Sequence, residues 1–358
     1  MKFIHAVLLC GLLTVLMFGS VLVLHSWAPI GVDGYAYYSS QTIPHSDRPG
    51  KAIFDLIGYS EMTHFLLLGI FFFLFLLGTW TLAKKLEVKN DWLAILLVLS
   101  TPLAFIRFSE LEYMQFVYVL IPWIWLLYIK ITEEKAGSAF KFSIITMIIA
   151  AWILVFINNL PSLTFFFPVN KVGETAFLSS ASYLFILLLG FFGLRKYKQL
   201  AIPAIIIFFL SIFNPLLAII LVPLLAVGLT RLGENNIIPN PNIDLRWFFT
   251  VLAIIGIFNT MFYIIPEVVP TQDQWNMVVS TSYNVAALGG SFNVDWEYVH
   301  WFNYLHEKTS FLPSVPGDGG CCPITSKAET VLTRQKQFNS NQCLLIISYS
   351  DGNLFRCK

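Results

Sequence analysis

The chain has 358 residues, of which 57% are hydrophobic and 12% charged, and its mean hydropathy is +0.71. This balance excludes an ordinary soluble domain and predicts a polytopic integral membrane protein. The formal net charge of +1 at pH 7 gives no electrostatic basis for binding nucleic acid, which we exclude as a partner.

Apolar runs long enough to cross a bilayer recur along the chain, since a membrane-spanning helix needs about 20 such residues. They lie near residues 3–27, 62–83, 91–108, 113–130, 141–158, 175–194, 200–229 and 247–266. The run 200–229 is too long for one span, and Asn214 and Pro215 near its middle interrupt the helical ladder. Two short helices in that run give an all-α fold with about nine transmembrane helices.

Lysine and arginine are distributed unequally between the two sets of loops. Because basic loops are retained in the cytoplasm, the richer set is predicted to be cytoplasmic. Its members are Lys2, Lys84, Lys85, Lys89, Lys130, Lys135, Lys141, Arg195, Lys196, Lys198, Arg231 and Arg246. This topology gives a multi-pass protein of the cell membrane, with a cytoplasmic N-terminus and an extracytoplasmic tail after residue 267. A single span over 200–229 would place Arg231 on the extracytoplasmic side, contrary to the excess of lysine and arginine in the cytoplasmic loops.

Three regions follow from this topology: a transmembrane domain 1–266 with an outer loop 28–61, an extracytoplasmic segment 267–312, and a tail 313–358. The middle segment predicts an amphipathic helix from Asp295 to Lys308, where large apolar residues recur at helical spacing.

The tail is poorly patterned and rich in cysteine. Cys321, Cys322, Cys343 and Cys357 can form two disulfides on an oxidising face, with three possible connectivities. A truncated or shifted reading frame past residue 318 would produce a similar composition.

Acidic residues mark two of the predicted outer connections. Asp33 follows the first span, and Glu110 and Glu112 lie between the third and fourth. If these connections adjoin, their carboxylates can bind a hard cation such as Mg²⁺ or Mn²⁺, or one can act as a general base. Arg107 offers a planar fork of donors to a phosphate. The plainer alternatives are solvated loop carboxylates and an arginine that anchors the end of its span.

These residues belong to a longer pattern along the chain. It begins with an outer loop that opens with Asp33, Gly34 and Tyr35, and a basic inner loop follows. It ends with Ser100, Thr101 and Pro102, which lead through Arg107 to Glu112. Over roughly residues 1–200 this order resembles the C-type glycosyltransferase superfamily. It is similar to the N-terminal part of oligosaccharyltransferase catalytic subunits and to the protein glycosyltransferases that use polyprenyl-phosphate sugars. The large soluble domain of the oligosaccharyltransferase subunits, with its Trp-Trp-Asp motif, is not present in these residues.

The resemblance implies an enzyme that transfers a sugar or oligosaccharide from a polyprenyl-phosphate or polyprenyl-diphosphate carrier to a protein or lipid acceptor on the extracytoplasmic face. It implies catalytic roles for Asp33 and Glu112 and binding of the donor phosphate by Arg107. It also implies a divalent metal, Mn²⁺ or Mg²⁺, at Asp33, Glu110 and Glu112. Membrane lipids would be further partners.

Two other classes of protein remain open as alternatives. A transporter usually carries ionisable residues inside its spans, and this sequence places none at the middle of a span. The interruption at Asn214 is its one transporter-like feature. A non-catalytic membrane or assembly protein is the other alternative.

Overall fold

The computed structural model describes residues 1–25, 61–109, 115–133, 187–195, 197–213, 217–234, 245–264, 272–289, 292–294, 302, 329–333, 343–349 and 352–357. These residues are mostly helical, and the chain divides into two compact units. The helical unit comprises Met1–Ser20, Leu66–Phe108 and Met114–Val268. The sheet unit comprises Val21–Phe65, Ser109–Tyr113 and Val269–Lys358.

Nine helices lie in the part of the chain described up to residue 264. They are α1 (Phe3–His25), α2 (Glu61–Lys85), α3 (Asp91–Leu99), α4 (Pro102–Ser109), α5 (Gln115–Glu133), α6 (Gly190–Gly193), α7 (Lys198–Phe213), α8 (Ala218–Glu234) and α9 (Leu245–Asn259), the last followed by a π-helical turn, Thr260–Ile264.

Three segments of these helices are long and apolar enough to cross a membrane: Phe3–Val21, Phe65–Lys85 and Leu245–Phe262. Large apolar side chains such as Leu8 and Phe258 are exposed on them, as expected where helices face lipid. The membrane class is therefore supported, while the total of about nine spans stays a prediction.

Two interruptions shape the helices. The helix α7 ends at Phe213 and α8 begins at Ala218, while the predicted break at Asn214 and Pro215 itself lies outside the described residues. The predicted span 91–108 is itself divided, since α3 ends at Leu99 and α4 begins at Pro102. Proline has no N–H to donate and favours the first turn of a helix. The predicted span 141–158 lies outside the described residues.

Ring contacts along α2 define the direction of α1. Phe3 packs on Trp80 with ring centroids 5.9 Å apart, and Phe18 packs on Phe72 at 5.7 Å. The start of α1 thus lies beside the end of α2, and the two helices are antiparallel.

The helix α5 runs in the same direction as α2. Near its start Tyr118 contacts Phe108 at 6.3 Å, and one turn later Pro122 lies against Gly78. At its end Glu133 forms an ion pair with Lys85. The indole of Trp125 also donates a 3.0 Å hydrogen bond to the carbonyl of Ile220, which joins α5 to α8.

Glycines allow α6 to approach α8 at backbone distance. A Cβ atom on Gly193 would lie 1.8 Å from the carbonyl oxygen of Gly228, and one on Gly190 would lie 2.2 Å from that of Leu225. Small residues at such crossings are typical of helix packing in membranes, where close van der Waals contact stabilises the pair.

In its described residues the sheet unit contains α10 (Gln272–Leu288) and four short strands. The sequence predicts an all-α fold and does not include these strands. They are β1 (Phe292–Val294), β2 (Thr330–Thr333), β3 (Cys343–Ser348) and β4 (Asn353–Cys357), in the spatial order β1-β2-β4-β3. The strand β1 is parallel to β2, whereas β4 is antiparallel to both β2 and β3.

Apolar contacts and one disulfide hold this sheet. Cys343 and Cys357 are directly opposite each other and are covalently linked, beside the buried Val331 and Phe355. The sequence leaves the partner of Cys343 open, and the structure shows that it is Cys357. Cys321 and Cys322 lie outside the described residues. Most of the predicted helix 295–308 also lies outside them.

We predict that Gly193→Ala destabilises the helical unit by about 1–3 kcal/mol, because the new methyl group meets backbone that cannot rotate away. The matched control is Gly19→Ala in α1, where a Cβ atom has nothing within 4 Å. Titration of the purified protein in mixed micelles with a denaturing detergent measures both free energies of unfolding. Equal stability of Gly193→Ala and the wild type would contradict the packing of α6 on α8.

Candidate functional site

The predicted site residues are placed only in part. Asp33, Glu110 and Glu112 lie outside the described residues. Arg107 belongs to the last turn of α4, which begins at Pro102 and ends at Ser109. Among the residues that the structure describes, no group of three or more His, Cys, Asp or Glu side chains is arranged to hold a metal ion.

A buried aromatic cluster fixes α4. Phe108 packs on Phe75 with ring centroids 5.0 Å apart and on Phe72 at 5.4 Å. Phe105, one turn earlier, packs on Phe18 at 5.6 Å and on Phe72 at 6.0 Å. Aromatic pairs at these separations contribute about 0.5–1.5 kcal/mol each beyond the area they bury. The helix that leads into the acidic connection is therefore held against both α1 and α2.

A second cluster lies at the other end of these helices, around the fully buried carboxylate of Asp91. The indole of Trp80 donates a 2.8 Å hydrogen bond to it, and the ammonium group of Lys84 lies 3.1 Å away. The α-amine of Met1 is also 3.1 Å from the carboxylate. Burial of an unpaired carboxylate would be strongly unfavourable, and these three donors are the partners that offset the burial of Asp91.

The turn between α2 and α3 is anchored by residues from later in the chain. Arg231 donates hydrogen bonds to the carbonyl of Leu86 at 2.6 Å and to the hydroxyl of Tyr197 at 2.5 Å. Its guanidinium carbon also lies 4.7 Å from the centre of the Tyr197 ring, in cation–π contact. The backbone N–H of Asn90 donates to Glu234 at 2.6 Å.

These contacts bring the ends of several helices together. We call this group of helix ends the basal end. It contains Met1, Asp91, Glu133, Tyr197 and Arg231, which lie at or next to the termini of α1, α3, α5, α7 and α8. The unequal distribution of lysine and arginine predicts these termini on one side of the membrane, and the contacts agree with that grouping.

The directions of α1 to α5 can be described relative to the basal end. Helix α1 leaves it and α2 returns to it, so the connection 26–60 joins the ends of these helices that lie away from it. The chain leaves again through α3 and α4 and returns through α5, so the connection 110–114 also joins ends away from it. The first connection carries Asp33, and the second carries Glu110 and Glu112.

Asp91 is the residue that sequence reasoning missed. The segment 84–91 is a basic inner loop by composition, and nothing in it identifies which side chain becomes buried. The available signal is that Asp91, unlike Glu87 in the same segment, directly opens an apolar run. An acid in the first turn is also favoured by the helix dipole.

Neither a known protein family nor a curated protein sequence matches the chain. A functional proposal therefore depends on the residues themselves and on where the helices place them.

We predict that Asp91→Ala lowers the free energy of unfolding by about 3 kcal/mol, the lower part of the range for breaking a buried ion pair. The lower part applies because the side chain of Lys84 is 42% exposed and can turn to water once its partner is removed. Denaturation of the purified protein in micelles measures the loss.

The matched control for Asp91→Ala is Glu133→Ala, which removes the exposed ion pair with Lys85. Exposed pairs contribute at most about 1 kcal/mol, so this variant should unfold close to the wild type. Similar losses in the two variants would show that the Asp91 cluster does not stabilise the basal end.

Proposed function

We propose that this chain is a membrane glycosyltransferase that moves a sugar or oligosaccharide from a polyprenyl-phosphate or polyprenyl-diphosphate carrier to a protein or lipid acceptor. The observation that supports the proposal is the position of the four helix ends that the two acidic connections join. The segment with Asp33 and the segment with Glu110 and Glu112 both join helix ends that lie away from the basal end. The resemblance to C-type glycosyltransferases supports the same assignment.

The proposed orientation places the basal end in the cytoplasm and the acidic connections outside. The excess of lysine and arginine near the basal end supports it, because such residues are retained on the cytoplasmic side. The disulfide between Cys343 and Cys357 also supports it, because structural disulfides persist where the environment is oxidising. The protein would then be a multi-pass protein of the cell membrane with an extracytoplasmic sheet unit.

In the proposed reaction, the bond between the anomeric carbon of the sugar and the carrier phosphate oxygen breaks, and a bond to the acceptor forms. One of the carboxylates, Asp33 or Glu112, accepts the proton that the acceptor loses. Arg107 would bind the donor phosphate through its planar guanidinium.

The proposed metal ligands are the carboxylates of Asp33, Glu110 and Glu112. Oxygen donors of this kind match the preference of hard divalent cations. When bound, Mg²⁺ or Mn²⁺ neutralises charge on the departing phosphate.

The test uses membranes that contain the wild type, Asp33→Ala, Glu112→Ala or the control Glu133→Gln at matched protein levels. Transfer of radiolabelled sugar from polyprenyl-linked donors is measured with and without added Mn²⁺. We expect both alanine variants to lose activity by about 10²-fold or more, the lower bound for removal of a general base. The control should keep wild-type activity, because Glu133 lies at the basal end.

Full activity in either alanine variant would remove that carboxylate from the proposed site. Wild-type membranes that transfer no sugar from any donor would contradict the proposed reaction and favour the non-catalytic membrane or assembly protein.

A further inference from the structure

The edge strand of the sheet unit exposes a run of aliphatic side chains. In the described part of the sheet, β3 has a hydrogen-bonded neighbour on one side only, which is β4. Leu344 is 75% exposed, Leu345 46% and Ile346 38%. Three adjacent exposed aliphatic residues form a contiguous apolar surface, which is a candidate contact site for a membrane or another protein.

The exposure extends to both faces of the strand. Leu344 is opposite Arg356 and Leu345 is opposite Phe355, so these two leucines point to different faces of the sheet. The register shifts between Leu345 and Ile347, which makes Ile346 a bulged residue. The apolar surface therefore surrounds the strand edge instead of forming one flat face.

Within the described residues of the strand, two of the usual protections of a free edge are missing. Sheet proteins commonly place charges or proline there, and Cys343–Ser348 contains neither. The bulge at Ile346, however, interrupts the regular backbone spacing that pairing with a strand from a second copy would need. A fluid apolar medium can cover both faces and the bulge at once.

A positive charge next to this edge indicates that the apolar medium is a lipid bilayer. The side chain of Arg356 is exposed and shares a face with Leu344, one strand further in. An arginine can extend from an apolar surface to the phosphate groups of lipids. The same chain contributes three helices of membrane-crossing length, so a bilayer is an expected neighbour of this protein.

We propose that the β3–β4 hairpin inserts its edge into the surface of the bilayer that holds the chain's own helices. Leu344, Leu345 and Ile346 lie among the acyl chains, and Arg356 binds lipid phosphate. This membrane contact does not depend on the glycosyltransferase assignment, because it rests on the sheet unit alone.

The test incorporates the photoreactive residue p-benzoylphenylalanine at position 344 of the full chain, reconstituted in liposomes. The matched control carries it at position 348, where Ser348 is also exposed but is hydrogen-bonded to Asn353. Mass spectrometry of the Cys343–Cys357 peptide pair checks that each variant retains the disulfide. We expect phospholipid adducts at position 344 and far fewer at position 348.

A second variant tests the role of charge. In liposomes that mix phosphatidylcholine and phosphatidylglycerol, Arg356→Gln should lower the preference for phosphatidylglycerol adducts at position 344 by up to about fivefold, the effect of one cation near an anionic surface. Adducts to a second copy of the chain, or equal lipid labelling at positions 344 and 348, would overturn the proposal. An unchanged lipid preference in Arg356→Gln would overturn the role of the arginine.

Discussion

The arrangement of the helical unit depends on one buried carboxylate. Asp91 is withdrawn from water, and the Trp80 indole and the cations beside it offset the cost of burying its carboxylate. Because Trp80 lies on α2 and Asp91 opens α3, the ends of two apolar helices are held together by polar contacts. Arg231 and Tyr197 then secure the turn between them from α8 and from the start of α7.

The two ends of the helical unit differ in the forces that stabilise them. Charged and hydrogen-bonded groups hold the basal end, whereas the aromatic cluster around Phe72 and Phe108 holds the end that leads into the acidic connection. A catalytic site of the proposed kind needs its groups fixed to a fraction of an ångström, and a helix packed on two neighbours is a suitable support.

Much of the helical unit is predictable from sequence, because length and hydropathy determine where a chain can cross a bilayer. The break predicted near Asn214 is based on proline chemistry, and the grouping of helix ends follows from the lysine distribution. The contact of Asp91 with the α-amine of Met1 is not predictable in this way, since 90 positions separate the two residues in the chain. Whether Asp33 and Glu112 meet depends likewise on helix packing.

In the sheet unit, too, features set by neighbouring residues are predictable from sequence, whereas pairings between distant segments are not. Ser350, Asp351 and Gly352 lie between two apolar runs, which is a local signal for the β3–β4 hairpin. The pairing of β2 with β4 joins distant segments, and no local pattern specifies it. The connectivity of four cysteines is undetermined by sequence for the same reason.

The proposed orientation sets the two acidic connections on one side of the membrane and the basal end on the other. This orientation can be measured by labelling Gly34→Cys, Leu111→Cys and Lys89→Cys with a membrane-impermeant maleimide, with peptide-level mass spectrometry to identify the labelled cysteine. Positions 34 and 111 should react in intact cells, whereas position 89 should react only after permeabilisation. Labelling of positions 34 and 111 from opposite sides would contradict it.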